Sequence, residues 1–249
     1  MKPLVSIITP AYNAAQLISQ TIESVQAQTF KEWEMLIVDD YSIDDTCNVV
    51  ERYAESDSRI RLICQHENKG PAQARNVALM HASGRYIAFL DSDDIWLSKK
   101  LERQLAFMNE KKAVFSYTLY RRFTENNALP SSIISLPSVF SYRSLLKNTG
   151  IGCLTVMIDK EFTGPIEMSK IRHEDYVLWL QLLKRGITAY GLMEDLALYR
   201  VSKSSVSGDK IKSASWVWQI YRNVEKLSFP YAVWCFLNYG WQAYKKRKI

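Results

Sequence analysis

Residues that cross-link a chain or bind zinc are scarce in this sequence. Its 249 residues include only 4 cysteines and 3 histidines. The cysteines lie far apart and form no C-x-x-C pair, and the histidines do not cluster. A disulfide framework or a structural zinc site needs several such side chains at characteristic spacings, so neither is the basis of this fold.

Long hydrophobic runs are also missing. No uncharged apolar segment reaches the roughly 20 residues that a helix needs to cross a bilayer. The run Leu4–Ile8 is too short for a signal peptide, so we expect a cytoplasmic protein. With 47% hydrophobic and 23% charged residues, the composition is that of a folded globular chain and excludes a disordered one.

The sequence has a modest excess of positive charge, because 32 basic residues against 26 acidic ones give a net charge of +6. This excess suggests an anionic partner, namely a nucleotide, a nucleic acid or a lipid surface. The basic residues concentrate at the C-terminus and no recognition motif is present, so we expect no nucleic-acid partner. The G-x-G-x-x-G and P-loop motifs are absent, which disfavours a Rossmann dehydrogenase and a P-loop enzyme.

In the first 100 residues, short apolar segments alternate with segments of helical periodicity. Apolar runs at Leu4–Ile8, Met35–Val38, Ile60–Cys64 and Tyr86–Leu90 predict strands. The segments between them predict helices, since their apolar residues recur at every third or fourth position. The repetition predicts an α/β fold with a mainly parallel central sheet and helices on both of its faces.

Polar clusters follow three of the predicted strands, at Thr9–Asn13, Asp39-Asp40 and Asp91–Asp94. Parallel sheets bind ligands just beyond the carboxyl ends of their strands, so we expect these clusters to form one site. A single cluster of this kind is more often a helix cap, whereas three at successive strand ends favour a ligand site.

Asp91 and Asp93 have the spacing of a cation site. Two carboxylates one residue apart at a strand end can share a hard divalent cation, so we expect Mn²⁺ or Mg²⁺ there. A metal at this place would stabilise a diphosphate leaving group. The alternative is that Ser92, Asp93 and Asp94 only cap the helix that follows Trp96.

Four further side chains are candidates for nucleotide binding. Asp39 or Asp40 can accept the imide N–H of a uracil, and Tyr12 can stack on the base. Arg75, on the helix after Asn68–Gly70, can reach the base or a phosphate. Ordinary packing of Tyr12 and a surface salt bridge of Arg75 are the alternatives.

The second half of the chain offers a candidate base and a candidate phosphate loop. Glu174-Asp175 precedes an amphipathic helix, and a carboxylate there can deprotonate an attacking hydroxyl. Helix capping is the alternative for this pair. Arg200, together with the segment Lys203–Ser207, can close over the phosphates, and a solvated loop is the alternative.

The last 40 residues form an aromatic-rich segment that predicts helices. Phe229–Tyr244 carries 7 aromatic residues and no charge, and Lys245–Lys248 follows at once. Aromatic residues beside a basic cluster favour the surface of an anionic membrane, so we expect peripheral contact with the inner face of the cell membrane. Packing against protein is the alternative.

Five motifs in order resemble those of family 2 glycosyltransferases, in particular the bacterial enzymes that build O-antigen, capsule and exopolysaccharide. The motifs are Val5–Asn13, Val38–Ser42, Asn68–Asn76, Phe89–Asp94 and Glu174–Trp179. Each motif is weak alone, but five in the right order and spacing are specific, and the likeness covers residues 4 to 207.

This resemblance implies a GT-A fold, a UDP-sugar or other nucleotide-diphosphate sugar as donor, a divalent metal and inversion at the anomeric carbon. It implies a glycan or lipid-linked saccharide as acceptor, with a non-catalytic nucleotide-sugar-binding module as the alternative. We expect a catalytic domain at 1–208, divided into a nucleotide-binding half (1–100) and an acceptor half (101–208). A helical extension would follow at 209–249.

The resemblance also assigns roles to single residues. The family's nucleobase contacts fall on five positions of this sequence: Thr9, Tyr12, Asp39, Asp40 and Arg75. Asp91 falls near the ribose and the metal, Asp93 on the metal, and Asp175 on the catalytic base. Tyr41 stands where the family has glycine. The Q-x-x-R-W motif of processive members is absent, which favours the addition of a single sugar.

Overall fold

The computed structural model describes residues 2–124, 133–201 and 210–245. The predicted phosphate loop at 203–207 and the basic residues 246–248 lie outside the described residues. The first part of the chain alternates strands and helices: β1 (Val5–Ala11), α1 (Ile18–Gln26), β2 (Trp33–Asp39), α2 (Thr46–Ser56), β3 (Ile60–Cys64), α3 (Pro71–His81) and β4 (Tyr86–Phe89).

The remaining described elements are less regular. In chain order they are β5 (Ile95–Trp96), α4 (Lys100–Lys111), β6 (Phe115–Phe123), β7 (Ile133–Ile134), β8 (Val139–Phe140), α5 (Tyr142–Leu145), β9 (Met157–Asp159), α6 (Lys160–Thr163), α7 (Glu174–Lys184), β10 (Ala189–Arg200), α8 (Lys210–Gln219) and α9 (Phe229–Lys245). A 3-10 turn at Cys153–Thr155 precedes β9, and a π-helical turn at Ile220–Val224 follows α8.

The strands form one mixed sheet in the order β3-β2-β1-β4-β9-β6-β10-β5, with β7 beside β6 and β8 beside β10. The pairs among β1 to β4 are parallel, and so is the long pair between β6 and β10. The short strand β9 joins these two parallel parts by pairing antiparallel with both β4 and β6. The predicted α/β architecture is therefore confirmed, with antiparallel strands in the middle and at one edge.

Hydrophobic cores lie on both faces of the sheet. Neighbouring residues of β1 show why: Ile8 belongs to one core and Ile7 to the other, because successive side chains of a strand point to opposite faces. Both faces must then be covered by helices, which explains the near-continuous apolar sequence of β1 and β2.

The C-terminal helices belong to the first of these cores. Val217 and Tyr221, at the end of α8 and in the π-helical turn, are buried in the same cluster as Trp179 of α7. Ala232 and Cys235 place one face of α9 in that cluster. Within the described residues, no helix combines the length and the hydrophobicity that a bilayer crossing requires.

The carboxyl ends of β1, β2 and β4 meet at one edge of the sheet. Ala11 pairs with Asp39 at the ends of β1 and β2, and the Asp40 amide donates to the Ala11 carbonyl at 2.8 Å. The Leu90 amide, after β4, donates to the Ile8 carbonyl at 3.1 Å. The three polar loops that follow these strands therefore lie side by side.

Candidate functional site

A cleft of about 730 Å³ opens at this edge of the sheet. It brings together six of the residues singled out from the sequence: Tyr12, Asp40, Arg75, Asp91, Asp93 and Asp175. These residues come from three strand ends, from α3 and from the start of α7, and they span more than 160 positions of the chain. Such a convergence of carboxylates, an arginine and an aromatic ring is typical of a binding site.

Asp40 organises the loop that leads into α3. Its Oδ1 accepts the Lys69 amide at 2.8 Å and the Gln65 side-chain amide at 2.8 Å, and its Oδ2 accepts the Gly70 amide at 2.7 Å. A carboxylate has about four acceptor positions, so Oδ2 retains one for a ligand. Gly70 has φ +85°, a conformation that glycine adopts without strain, and it supports this close approach.

Tyr12 and Tyr41 stand at the open side of the same loops. Both rings are about half exposed, at 51% and 53%. Tyr41 has φ +67°, so this tyrosine adopts the left-handed conformation that is uncommon for residues other than glycine. Asn13 stabilises this turn, because its backbone N–H donates to Ser42 Oγ at 2.8 Å and its side-chain Oδ1 accepts the Ile43 backbone N–H at 2.9 Å.

Three residues expected at the nucleotide do not line the cleft. Asp39 is buried and accepts the Ser42 amide and hydroxyl, so it fixes the turn after β2. Thr9 is fully buried within β1. The Arg200 guanidinium donates to the Asp93 carbonyl and to Gln20 Oε1, both at 2.7 Å, and so supports the Asp93 loop from behind. Asp39 and Arg200 thus form hydrogen bonds with other residues of the protein, and Thr9 is buried inside the sheet.

Arg75 joins the strand ends to the start of α7. Its buried guanidinium donates to Asp91 Oδ1 at 2.5 Å and to Glu174 Oε1 at 2.7 Å. Burial alone would lower the pKa of Arg75, but the two carboxylates more than compensate and raise it, so the side chain stays charged. Arg75 is thus an internal ion-pair partner and not the surface salt bridge considered from the sequence.

Asp91 and Asp93 differ in their surroundings. Asp91 is paired with Arg75, whereas Asp93 forms no ion pair among the described residues. Burial, together with the adjacent Asp91 carboxylate, raises the pKa of Asp93. Ionised Asp93 would therefore be stabilised by a cation. In the described part of the chain, no three or more metal-ligating side chains come together. The protein would therefore offer a metal ion this pair of carboxylates, Asp91 and Asp93.

Asp175 lies at the first turn of α7. The helix begins after His173, whose φ of +61° turns the chain sharply into the cleft. Asp175 Oδ1 accepts the Tyr176 amide at 2.7 Å. Burial, and then the negative charges of Glu174 and Asp91, raise the pKa of Asp175 to about 6, although Arg75 opposes this shift. Such a carboxylate is ionised at neutral pH and is a stronger base than an exposed aspartate.

The cleft also contains residues that the sequence did not reveal. These residues are Cys153, Arg172, His173, Tyr199 and Trp216, and His173 directly precedes the Glu174-Asp175 pair. Trp216 comes from α8, about 40 residues after the Asp175 turn. The sequence showed only that the C-terminal segment is aromatic, because no local pattern indicates where that segment docks.

Comparisons with known proteins agree with this architecture. The family model described as Glycosyl transferase family 2 matches residues 6–158. A Bacillus subtilis (strain 168) protein, TuaG, provisionally named a teichuronic acid biosynthesis glycosyltransferase, is 49% identical over 99% of this chain and 98% of its own. The Escherichia coli UDP-Glc:alpha-D-GlcNAc-diphosphoundecaprenol beta-1,3-glucosyltransferase WfgD is 44% identical over 87% of this chain and 85% of its own.

A solved structure shows the same fold. The mannosyltransferase PcManGT from Pyrobaculum calidifontis, in complex with GDP-Man and Mn²⁺, superimposes with a TM-score of 0.71. The match covers 96% of this chain and 69% of that protein, at 19% sequence identity. The family match covers more than half of the chain, and the two bacterial relatives match it over most of their length. The resemblance found in the sequence is confirmed: the chain belongs to glycosyl transferase family 2 and is a glycosyltransferase with the GT-A fold.

Proposed function

We propose that this enzyme transfers one sugar from a nucleotide-diphosphate sugar to a hydroxyl group of a lipid-linked saccharide, in the synthesis of a cell-surface polysaccharide. The observation that carries the proposal is the cleft, in which Asp175, a carboxylate with a raised pKa, shares one space with Asp91 and Asp93. This reaction needs a base that deprotonates the acceptor hydroxyl. It also needs anionic side chains that hold a metal ion against the diphosphate.

The donor end of the cleft suits a nucleotide. The free acceptor position of Asp40 can receive a base N–H, and the exposed ring of Tyr12 offers a stacking surface. UDP-glucose is the donor in the name of WfgD, which supports a UDP-sugar for this chain. UDP-glucose has an α linkage and WfgD is named a beta-glucosyltransferase, so the relative's name also supports inversion.

The carboxylate pair fits a divalent cation. Mg²⁺ and similar ions in nucleotide sites use one or two protein carboxylates and complete their coordination with phosphate and water. Asp93, which forms no ion pair among the described residues, would hold Mn²⁺ or Mg²⁺ together with Asp91, since both carboxylates line the same cleft. When bound, the ion neutralises charge on the leaving nucleoside diphosphate.

The chemical step is a single displacement. Asp175 takes the proton of the acceptor hydroxyl as that oxygen forms a bond to the donor's anomeric carbon. The bond between this carbon and the diphosphate breaks on the opposite face, and the nucleoside diphosphate leaves with the electron pair. Glu174 is less suited to be the base, because its Oε1 is paired with Arg75 at 2.7 Å.

The test is a transfer assay with Mn²⁺ and separate donors: UDP-glucose, UDP-galactose, UDP-N-acetylglucosamine and GDP-mannose. The acceptor is α-N-acetylglucosamine diphosphate on a short alkyl chain, and mass spectrometry detects the product. We expect Asp175→Asn to lower kcat at least about 10³-fold while UDP affinity stays within threefold. Glu110→Gln, on the exposed side of α4, is the matched control and should change neither value.

Two outcomes would contradict this function. An Asp175→Asn enzyme with near-normal kcat would remove Asp175 from the role of base. A chain that binds UDP-sugars but neither transfers nor hydrolyses any of them would be the nucleotide-sugar-binding module considered as the alternative.

The proposal includes contact with the inner face of the cell membrane through α9. Trp234, Leu237 and Trp241 recur at helical spacing and are 55%, 64% and 56% exposed, and the basic residues 245–248 follow them in sequence. Aromatic side chains beside lysines suit an anionic lipid surface. The full chain should float with phosphatidylglycerol vesicles but not with phosphatidylcholine vesicles. Equal flotation by a variant with serine at the three positions would refute this contact.

A further inference from the structure

An aromatic side chain from the C-terminal segment faces the cleft of the catalytic residues. Trp216 lies on α8, beyond the family match at residues 6–158, yet it lines the same cleft as Asp175. The side chain is only half-buried, so part of the indole stays accessible. The proposed mechanism does not yet use this residue.

Trp216 packs against the residues that lead into α7. Its ring centroid lies 5.5 Å from that of His173 at an interplanar angle of 70°, and the Arg172 guanidinium carbon lies 5.6 Å from its ring centroid. His173 Nε2 lies 3.1 Å from the hydroxyl of Ser213, one turn earlier on α8. These contacts fix the indole beside the turn that carries Asp175.

A series of contacts connects Asp40 with Trp216. Asp40 binds the amide of Gly70 just before α3, and Arg75 lies about 7 Å further along that helix at 1.5 Å per residue. Arg75 pairs with Glu174, and the adjacent His173 contacts Trp216. Trp216 is therefore connected to Arg75 through His173 and Glu174, whereas Asp40 is connected to it through the start of α3.

Arg172 supplies a charge at the same place. Its side chain is exposed, and within the described residues it forms no ion pair; its recorded contact is with the face of Trp216. A guanidinium in this position can bind two phosphate oxygens at once. An aromatic platform and an available guanidinium thus lie together next to the proposed base.

We propose that Trp216 and Arg172 form the acceptor subsite. The indole stacks on the apolar C–H face of the acceptor sugar and so presents its hydroxyl to Asp175, while Arg172 binds the diphosphate that links this sugar to its lipid. The inference rests on the proposed function, since it takes the acceptor to be a saccharide diphosphate. It adds that the C-terminal helices, and not the family-matched part alone, select the acceptor.

The experiment compares variants in the transfer assay with UDP-glucose and the alkyl-linked α-N-acetylglucosamine diphosphate, or with whichever donor of the panel is active. We expect Trp216→Ala to raise the acceptor KM at least tenfold, and Trp216→Phe to raise it less than threefold. The donor KM, and hydrolysis of the donor without acceptor, should stay within twofold of the unsubstituted chain. Phe162→Ala, which removes an exposed aromatic ring of α6 outside the cleft, is the matched control and should leave all values unchanged.

Arg172 is tested with two acceptors. Arg172→Gln should raise the KM of the alkyl diphosphate acceptor about tenfold and leave that of methyl α-N-acetylglucosaminide within twofold, because the second acceptor has no diphosphate. An equal effect on both acceptors would refute the diphosphate contact.

A purely structural role of Trp216 gives a different result. Ser213→Ala removes the hydrogen bond to His173 but keeps the indole, so it should raise the acceptor KM far less than Trp216→Ala does. If Ser213→Ala raises this KM as much as Trp216→Ala does, or if Trp216→Ala slows hydrolysis of the donor, the indole only holds the Asp175 turn and the subsite is refuted.

An unsubstituted chain without transfer from any donor refutes the proposed function itself. Transfer with an unchanged acceptor KM in Trp216→Ala refutes the subsite alone.

Discussion

The two sides of the cleft are built in different ways. On the side of β1, β2 and β4, the loops are held by backbone geometry: parallel strands end at one edge, and Asp40 accepts backbone amides from the neighbouring loop. On the side of α7, the residues are held by side chains that are distant in sequence, such as the pair Arg75–Glu174 and the contact between His173 and Ser213.

This difference separates what the fold provides from what tertiary docking provides. The strand-end side follows from the sheet itself, because the ladder hydrogen bonds among β1, β2 and β4 fix where the loops after them lie. The α7 side depends on how α8 packs against the Asp175 turn, so it can vary while the sheet stays the same. Under the proposed function, donor recognition and acceptor recognition would therefore rest on different kinds of structure.

The greatest change in stability is expected when the ion pairs of Arg75, which connect the two sides, are removed. Arg75→Met keeps the length of the side chain but leaves Asp91 and Glu174 without their shared cation in a mostly buried place. We expect the free energy of unfolding to fall by about 3 kcal/mol, measured by urea unfolding at pH 7.

The matched control is Arg103→Met. Arg103 also pairs with a glutamate, Glu194, but the pair is exposed on the surface, where solvent screens it, so the loss should be much smaller. Equal losses in the two variants would show that Arg75 does not connect the two sides energetically.

Sequence reasoning worked where the site depends on local geometry. Asp40 and Asp91 could be placed because each directly follows a strand whose direction the strand–helix alternation predicts. Asp39 and Asp40 are adjacent, so their side chains point to opposite sides of the strand end. The strand–helix alternation does not indicate which of the two sides faces the ligand site. The structure shows that Asp39 supports the turn and that Asp40 faces the cleft.

Sequence reasoning failed where a contact depends on docking. Trp216 reaches the Asp175 turn only because Val217 and Tyr221 bury this end of the C-terminal segment in the sheet's core. No periodicity in the sequence indicates which element covers which. Arg200 also depends on docking: it does not line the cleft, and its guanidinium donates to the Asp93 carbonyl. Its contact with the phosphates stays a prediction.

On the strand-end side, the hydrogen bonds of Asp40 should decide how tightly the nucleotide binds. Asp40→Asn replaces one acceptor oxygen by an N–H₂ group among three donors, so the loop before α3 should lose its shape. We expect UDP affinity, measured by calorimetry with Mn²⁺, to fall about 10- to 100-fold, in line with hydrogen bonds to a charged group.

Asp39→Asn is the companion variant. The asparagine keeps one acceptor for Ser42, so we expect a loss of about 1 kcal/mol in unfolding free energy and UDP affinity within threefold. If Asp39→Asn weakens UDP binding as much as Asp40→Asn does, the assignment of opposite roles to these neighbours is wrong.

The smallest expected effect compares, by pH dependence, Asp175 on the α7 side with Asp57, a carboxylate outside the cleft. In the folded chain the pKa of Asp175 is about 6, above its ordinary value, because of burial and then Glu174 and Asp91. That of Asp57, beside β3, is lowered to about 2, chiefly by its hydrogen bond to Arg59. Folding thus disfavours the ionised form of Asp175 and favours that of Asp57.

The sign of the stability change follows for each residue. Asp175 reduces stability as the pH rises from about 4 through 6, so Asp175→Asn should stabilise the chain by about 1–2 kcal/mol at pH 8 and by little at pH 4. Asp57 contributes stability above about pH 4 that is lost as the pH falls toward 2, so Asp57→Asn should destabilise the chain by a similar amount at pH 8.

Activity should follow the titration of Asp175 and not that of Asp57. The proposed base must be ionised, so kcat/KM should fall about tenfold per pH unit below about 6 in the unsubstituted chain and in Asp57→Asn. Urea unfolding at pH 4 and pH 8, with the pH profile of kcat/KM, measures both effects. A stability loss in Asp175→Asn at pH 8 would mean that its carboxylate is held by favourable contacts. The α7 side would then be built for stability, like the strand-end side, and not strained for catalysis.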